Sequence, residues 1–170
     1  MVHYCVVMQR LRAILFFLLP LLALGTGAFR ADASPFDISG RVVKVLPLFL
    51  DTNNEVATSP SLFDRDAYQA RLRRHSYEIS GIRFDVDLRA HNAHGAKLTL
   101  RLELRGVGAA GMPTQVDLAA AVRPRFLHHW TSLTLNGPAY KQFGALAAWR
   151  ATLWNGSQLL SEQKSFLWQL

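Results

Sequence analysis

The chain has 170 residues, with 19 Lys and Arg against 12 Asp and Glu and a single cysteine. One cysteine excludes an intramolecular disulfide framework, so we expect an apolar core to hold the fold together. The net charge of +7 favours anionic partners, such as phospholipid headgroups, acidic glycans or acidic proteins.

Residues 1–33 have the pattern of an export signal. Two arginines precede an apolar run from Ala13 to Leu24, and Ala31-Asp32-Ala33 fits the small-residue cleavage pattern, with cleavage after Ala28 as the alternative. The run is shorter than the ~20 apolar residues that span a bilayer. We therefore expect a periplasmic or secreted protein, or alternatively one tethered by an uncleaved signal anchor. Export argues against a nucleic-acid partner.

The next two predicted elements are a strand and a helix. Arg41 to Leu50 is apolar and rich in β-branched residues, with Pro47 indicating an edge or a bulge. Leu62 to Arg74 is predicted as one short helix across an end of the fold. Ser61 can cap this helix, with Asp64 completing a capping box.

The strongest pattern is a period of two between Ile82 and Arg105, interrupted at residues 91–95. It predicts two strands, each with one buried face. Paired as a hairpin, they place Arg83 opposite Glu103 and Asp85 opposite Arg101, which would stabilise the pair by ~0.2–1 kcal/mol per contact. We therefore predict that these two strands are neighbours in one sheet.

The remaining strands are predicted with less regular patterns. They are Val116 to Val122, Trp130 to Leu135, Leu146 to Trp154 and Gln158 to Trp168. Asn155-Gly156 between the last two is typical of a type I′ hairpin turn. The pattern of the last arm is broken by Glu162 and Lys164, so its register stays open.

Seven strands and one short helix (about 62–74) predict a single all-β domain over residues 37–168. The expected architecture is an antiparallel β-sandwich, immunoglobulin-like or fibronectin-like in layout.

Motifs for catalysis or cofactors are absent from the sequence. It contains no G-x-S-x-G, H-E-x-x-H or Walker loop. Residues 106–111 match G-x-G-x-x-G, but Pro113 follows where a nucleotide-binding helix would begin, so we interpret them as a loop. We expect a protein that is not an enzyme and has no cofactor.

Histidines are the weak candidates for a metal site. His91 and His94 lie in a predicted loop, and His128 and His129 form a second pair. A zinc site needs three or four ligands with supporting partners, and no carboxylate flanks either pair. We favour histidines that bind no metal, while a metal-dependent hydrolase remains the least favoured function.

Aromatic and basic residues are the candidate ligand-binding groups. Trp154, with Arg150 on the same strand face, is predicted to be the best exposed aromatic for stacking on a sugar. Two basic clusters suit anionic groups, and whether they meet in the fold stays open. They comprise Arg71, Arg73 and Arg74 in the first cluster, and Arg123 and Arg125 in the second.

These features favour a non-enzymatic binding module of the cell envelope or extracellular space. Its partner would be a protein, a glycan or an anionic surface. A carbohydrate-binding accessory domain that uses Trp154 and its neighbours is the alternative.

Overall fold

Seven antiparallel strands in two sheets form the part of the chain that the computed structural model describes, residues 37–93, 95–123 and 129–169. The first sheet has the order β1-β2-β5 and the second the order β4-β3-β6-β7. The strands are β1 (Ser39–Leu50), β2 (Gly81–His91), β3 (Leu98–Val107), β4 (Pro113–Val122), β5 (His129–Asn136), β6 (Ala145–Asn155) and β7 (Gln158–Lys164). The predicted export signal lies outside the described residues.

The core lies between the inner faces of the two sheets. Ile82, Phe84 and Val86 on β2 share one cluster of buried side chains with Leu100 and Leu102 on β3. Because the two strands belong to different sheets, this shared core shows that the sheets pack face to face. The prediction of an all-β sandwich is confirmed.

The predicted hairpin between β2 and β3 is wrong. β2 pairs with β1 and β5, whereas β3 pairs with β4 and β6. Arg83 lies beside Asp85 of its own strand, and Glu103 bonds Arg150 of β6. A strand in which apolar and polar residues alternate must bury its apolar face. Two such strands can do so as neighbours in one sheet or as partners across a sandwich, so the pattern does not distinguish the two arrangements.

Two α-helices are described, one more than predicted. Helix α1 (Leu62–Arg74) has the predicted bounds, and Ser61 caps it by accepting a bond from the backbone N–H of Asp64. Helix α2 (Gly137–Phe143) was not predicted, although the proline that follows Gly137 suits the first turn of a helix. No helix in the described ranges is long and apolar enough to cross a membrane.

A buried glutamine joins helix α1 to β1 through hydrogen bonds. Gln69 accepts a bond from the Phe49 N–H at 2.7 Å and donates to the Phe49 carbonyl at 2.9 Å and the Val56 carbonyl at 2.9 Å. The side chain thus satisfies backbone groups on the edge of β1 that β2 does not reach.

The final hairpin of β6 and β7 has the predicted partners but a different turn. Asn155 pairs with Gln158, so the two-residue loop is Gly156-Ser157. Gly156 has a φ of 57°, while no described non-glycine residue in this turn has a positive φ. A positive φ at the first central residue alone matches type II′ rather than the predicted type I′.

Strand β7 ends earlier than predicted, at Lys164. Ser165 donates its N–H to the Trp149 carbonyl at 2.9 Å, and its hydroxyl accepts the Trp149 N–H at 3.0 Å. A 3-10 turn, Phe166–Gln169, then follows. By bonding both backbone groups of Trp149, Ser165 ends the ladder and turns the chain.

The G-x-G-x-x-G segment is a loop, as its proline suggested. A 3-10 turn, Ala109–Gly111, connects β3 to β4, and no α-helix begins there. A Cβ on Gly106 would lie 2.7 Å from the Phe143 ring. This glycine therefore permits the close packing of α2 on the sheet.

Candidate functional site

The outer face of the four-stranded sheet carries arginines and tryptophans in neighbouring positions. On β3, the residues that alternate with the buried leucines point outward, and they include Arg101 and Arg105, both exposed. Strand register places Arg101 opposite Thr152 and Glu103 opposite Arg150 on β6. The same face of β6 therefore holds Arg150 and Trp154.

Trp154 is covered by an arginine. The Arg101 guanidinium carbon lies 4.9 Å from the centroid of the Trp154 ring, within the range of a cation–π contact. The indole N–H donates to the Thr152 hydroxyl at 2.9 Å. Both the ring surface and the polar edge of this half-buried side chain thus have partners within the protein.

Trp168 contacts two further arginines. The 3-10 turn brings its ring to 4.0 Å from the Arg105 guanidinium carbon and 5.0 Å from that of Arg150. Arg105 also donates to the Trp168 carbonyl at 3.4 Å. We call the five residues of this surface the Arg–Trp face: Arg101, Arg105, Arg150, Trp154 and Trp168.

Carboxylates are distributed unevenly over the Arg–Trp face. Arg150 forms an ion pair with Glu103 and lies 3.8 Å from Glu162. Within the described ranges, neither Arg101 nor Arg105 has an ion pair. Arg150 is therefore largely neutralised, whereas Arg101 and Arg105 keep their charge available to solvent.

The predicted basic cluster of Arg71, Arg73 and Arg74 lies at the C-terminal end of α1. Arg71 pairs with Glu78 and lies over the Tyr68 ring at 5.4 Å. The hydrogen bond and charge of Glu78 raise the pKa of Arg71 above its ordinary value. The Arg73 guanidinium is 5.9 Å from the Phe49 ring, and Arg74 donates to the Ala70 carbonyl at 3.3 Å.

The described member of the second predicted basic cluster, Arg123, is remote from the first cluster. Arg123 follows the end of β4 and lines a cavity of about 520 Å³ together with Lys97, whereas Arg125 lies outside the described residues. Helix α1 follows the end of β1, beside the start of β2. Strand β2 begins near α1 and has 11 residues, and the next strand, β3, begins at Leu98, which pairs with Val122 beside Arg123. Roughly 30 Å of strand therefore separates Arg123 from the first cluster. Arg123, the described member of the second cluster, therefore does not join Arg71, Arg73 and Arg74 in one anion-binding surface.

The candidate metal ligands are only partly described. His91 ends β2 and is exposed, and His129 begins β5 opposite Leu88. His94 and His128 lie outside the described residues. In the ranges that are described, no three His, Cys, Asp or Glu side chains are grouped as metal ligands would be.

Sequence reasoning selected Trp154 and Arg150 but missed Arg101, Arg105 and Trp168. Alternation with the buried leucines does place Arg101 and Arg105 on one outward face. Their proximity to the tryptophans depends on the pairing of β3 with β6 and on the turn after Ser165, neither of which the local pattern specifies.

No known protein family, curated protein or solved structure matches the chain.

Proposed function

We propose that this protein is a non-enzymatic binding module that recognises an anionic partner through the Arg–Trp face. The observation that carries the proposal is that Arg101 and Arg105 are each held over a tryptophan ring and lack a described carboxylate partner. A cation that has no internal counter-ion is free to bind an external one.

Stacking prepares these arginines for binding. A guanidinium held over an aromatic ring loses freedom in the unbound protein, so less ordering entropy is lost when it binds. Its planar fork of N–H donors matches the oxygen atoms of carboxylate, sulfate or phosphate groups. The expected ligand is therefore a polyanion or an acidic protein surface with closely spaced oxygen anions.

The geometry counts against the carbohydrate alternative. A sugar that stacks on Trp154 needs an open ring surface, and Arg101 lies over that ring at 4.9 Å. Binding of a neutral polysaccharide would require Arg101 to leave. If Trp154→Ala abolishes retention on an insoluble neutral polysaccharide that the unsubstituted chain binds, the carbohydrate function replaces the one proposed here.

The proposal includes an immunoglobulin-like or fibronectin-like layout and export from the cytoplasm. The strand order supports the layout, because the first, second and fifth strands form one sheet, as the A, B and E strands do in immunoglobulin domains. The fourth strand joins the other sheet, as the added strand of variable-type domains does. Export is supported by the pattern of residues 1–33.

The test is retention on a dextran sulfate matrix with a rising salt gradient. The double variant Arg101→Gln/Arg105→Gln is compared with Arg73→Gln/Arg74→Gln, which removes the same charge away from the face. We expect the first variant to elute at clearly lower salt and the second to elute close to the unsubstituted protein. Equal shifts would show that net charge alone causes retention and would reject the Arg–Trp face as the site.

A further inference from the structure

The signs of charge alternate along β3, the central strand of the Arg–Trp face. Arg101, Glu103 and Arg105 occupy successive outward positions of this strand. The Cα atoms of residues four apart in a strand are about 13 Å from each other. The residues that flank the two arginines on β4 and β6 are uncharged, and they are Ala119, Thr152, Gln115 and Ala148. The strand therefore presents two separate cationic positions with a carboxylate between them.

A second carboxylate between the two arginines lacks a described counter-ion. Glu103 lies opposite Arg150 on β6 and opposite Asp117 on β4. Arg150 forms an ion pair with Glu103. Asp117 is exposed, and its side chain accepts a bond from the side-chain N–H of Gln115 at 3.4 Å. Within the described ranges no cation pairs with Asp117, so its negative charge is available to a ligand.

The tryptophans keep the two cationic positions apart. Arg101 lies over the Trp154 ring and Arg105 over the Trp168 ring, at 4.9 Å and 4.0 Å. Arg105 also donates to the Trp168 carbonyl. Because each guanidinium is held in place before a ligand binds, the spacing of the ligand's anionic groups matters for affinity.

We propose that the Arg–Trp face binds an extended segment of a partner protein in which acidic, basic and acidic side chains occupy alternate positions. This inference rests on the function proposed above and names its ligand. In an extended chain every second side chain lies on the same face, about 6.7 Å from the previous one. Two acidic residues four positions apart are therefore spaced like Arg101 and Arg105, and the basic residue midway lies over the row that contains Asp117.

A uniform polyanion fits this charge pattern less well than the alternating segment does. A chain with a negative group at every repeat places one of them near Asp117, and such a like-charge contact lowers affinity. A lysine at the middle position instead meets a carboxylate that has no described cation. Asp117 lies on the neighbouring strand, about 4.8 Å to the side of β3, and the flexible stem of a lysine spans that distance. Asp117 thus distinguishes an alternating ligand from a uniformly acidic one.

Frontal affinity chromatography on the immobilised full chain tests this preference, because it measures weak dissociation constants. The peptides, all with blocked ends, are Thr-Asp-Thr-Lys-Thr-Asp-Thr, its rearranged form Thr-Asp-Thr-Asp-Thr-Lys-Thr, and the more acidic Thr-Asp-Thr-Asp-Thr-Asp-Thr. We expect the first peptide to bind about threefold to tenfold more tightly than either of the others. The rearranged peptide has the same composition, so it isolates the spacing of the charges. Attraction by net charge alone would make the most acidic peptide bind most tightly.

Asp117→Asn is the decisive variant of the protein. It removes the carboxylate that selects the lysine and relieves the like-charge contact with Glu103, so it does not weaken the fold. We expect the preference for the lysine-centred peptide over the most acidic one to be lost. Glu55→Gln is the matched control, because it changes the net charge equally and Glu55 is exposed in the loop between β1 and α1. We expect this control to keep the preference.

Three results would overturn this inference: tightest binding of the most acidic peptide, equal binding of the first peptide and its rearranged form, or a preference that Asp117→Asn leaves unchanged. Elution from dextran sulfate separates these failures from a failure of the proposed function. If Arg101→Gln/Arg105→Gln still elutes at clearly lower salt than its control, the face binds polyanions but does not select an alternating segment. If that difference is absent as well, both proposals are wrong.

Discussion

Asp51, at the end of β1, is a buried carboxylate that several donors hold in its charged form. Its side chain is only 7% exposed. It accepts bonds from the Tyr68 hydroxyl at 2.7 Å and from the backbone N–H groups of Asn53 and Glu55 at 2.8 Å. Burial alone raises the pKa of Asp51, but these hydrogen bonds outweigh it and bring the pKa below its ordinary value of 3.8. The residue connects the loop after β1 to α1.

A carboxyl group whose pKa is lower in the folded state stabilises the fold above its unfolded-state pKa. That stability is lost as the pH falls from 3.8 through the lower folded-state value. We expect Tyr68→Phe to reduce the free energy of unfolding at neutral pH by about 1.5–3 kcal/mol, as for a hydrogen bond to a charged group. The reduction should shrink in acid below both pKa values, where Asp51 is protonated in both states.

Urea unfolding at neutral pH and in acid measures this difference. Tyr77→Phe is the matched control, because Tyr77 is 79% exposed and its hydroxyl has no hydrogen bond within the described residues. A Tyr68→Phe variant with the same deficit at both pH values would contradict the assigned role of Asp51.

At the scale of the element, the C-terminal 3-10 turn matters because it lays Trp168 on the sheet. Ala148, on the outer face of β6, is only 3% exposed, and the turn packs on β6 at this end. Phe166, two residues before Trp168, is 89% exposed. One aromatic side chain of the turn therefore contacts the fold, while the other contributes little to it.

We expect Trp168→Ala to lower the free energy of unfolding by about 1–3 kcal/mol, from two cation–π contacts and the apolar area they cover. Phe166→Ala should change it by less than about 0.5 kcal/mol. Denaturant unfolding of the two variants tests this difference. Equal effects would mean that the turn is not docked through Trp168.

At the scale of the whole molecule, the sequence predicts strands far better than it predicts their partners. The bounds of β2, β3 and α1 follow from periodicity and capping, which depend only on neighbouring residues. The partner of a strand depends on the path of the connecting loop. Residues between His91 and Leu98 carry the chain across from one sheet to the other, about 10 Å away, whereas the predicted hairpin returned β3 beside β2.

The matched charges between the two strands made that wrong hairpin plausible. Arg83 and Glu103 would attract each other as cross-strand neighbours, but they lie on the outer faces of different sheets. Each finds a nearer partner, Asp85 and Arg150 respectively. Alternation of charges on an exposed face therefore carries little information about pairing, because any sheet with both signs of charge offers several complementary registers. The Arg–Trp face was only partly predictable, because the contacts of its arginines with its tryptophans also depend on which strands pair.

Double-mutant cycles distinguish the two topologies in solution. We expect Glu103→Gln and Arg150→Gln to be coupled by about 0.2–1 kcal/mol, the range for partly exposed ion pairs. Arg83→Gln and Glu103→Gln should be additive within about 0.3–0.5 kcal/mol, because the two side chains lie on opposite outer faces with the core between them. Both cycles share the Glu103 variant, so any general effect of losing that carboxylate cancels in the comparison. Urea unfolding of the single and double variants supplies the free energies. Coupling between Arg83 and Glu103 with none between Glu103 and Arg150 would restore the hairpin and exclude the sandwich pairing described above.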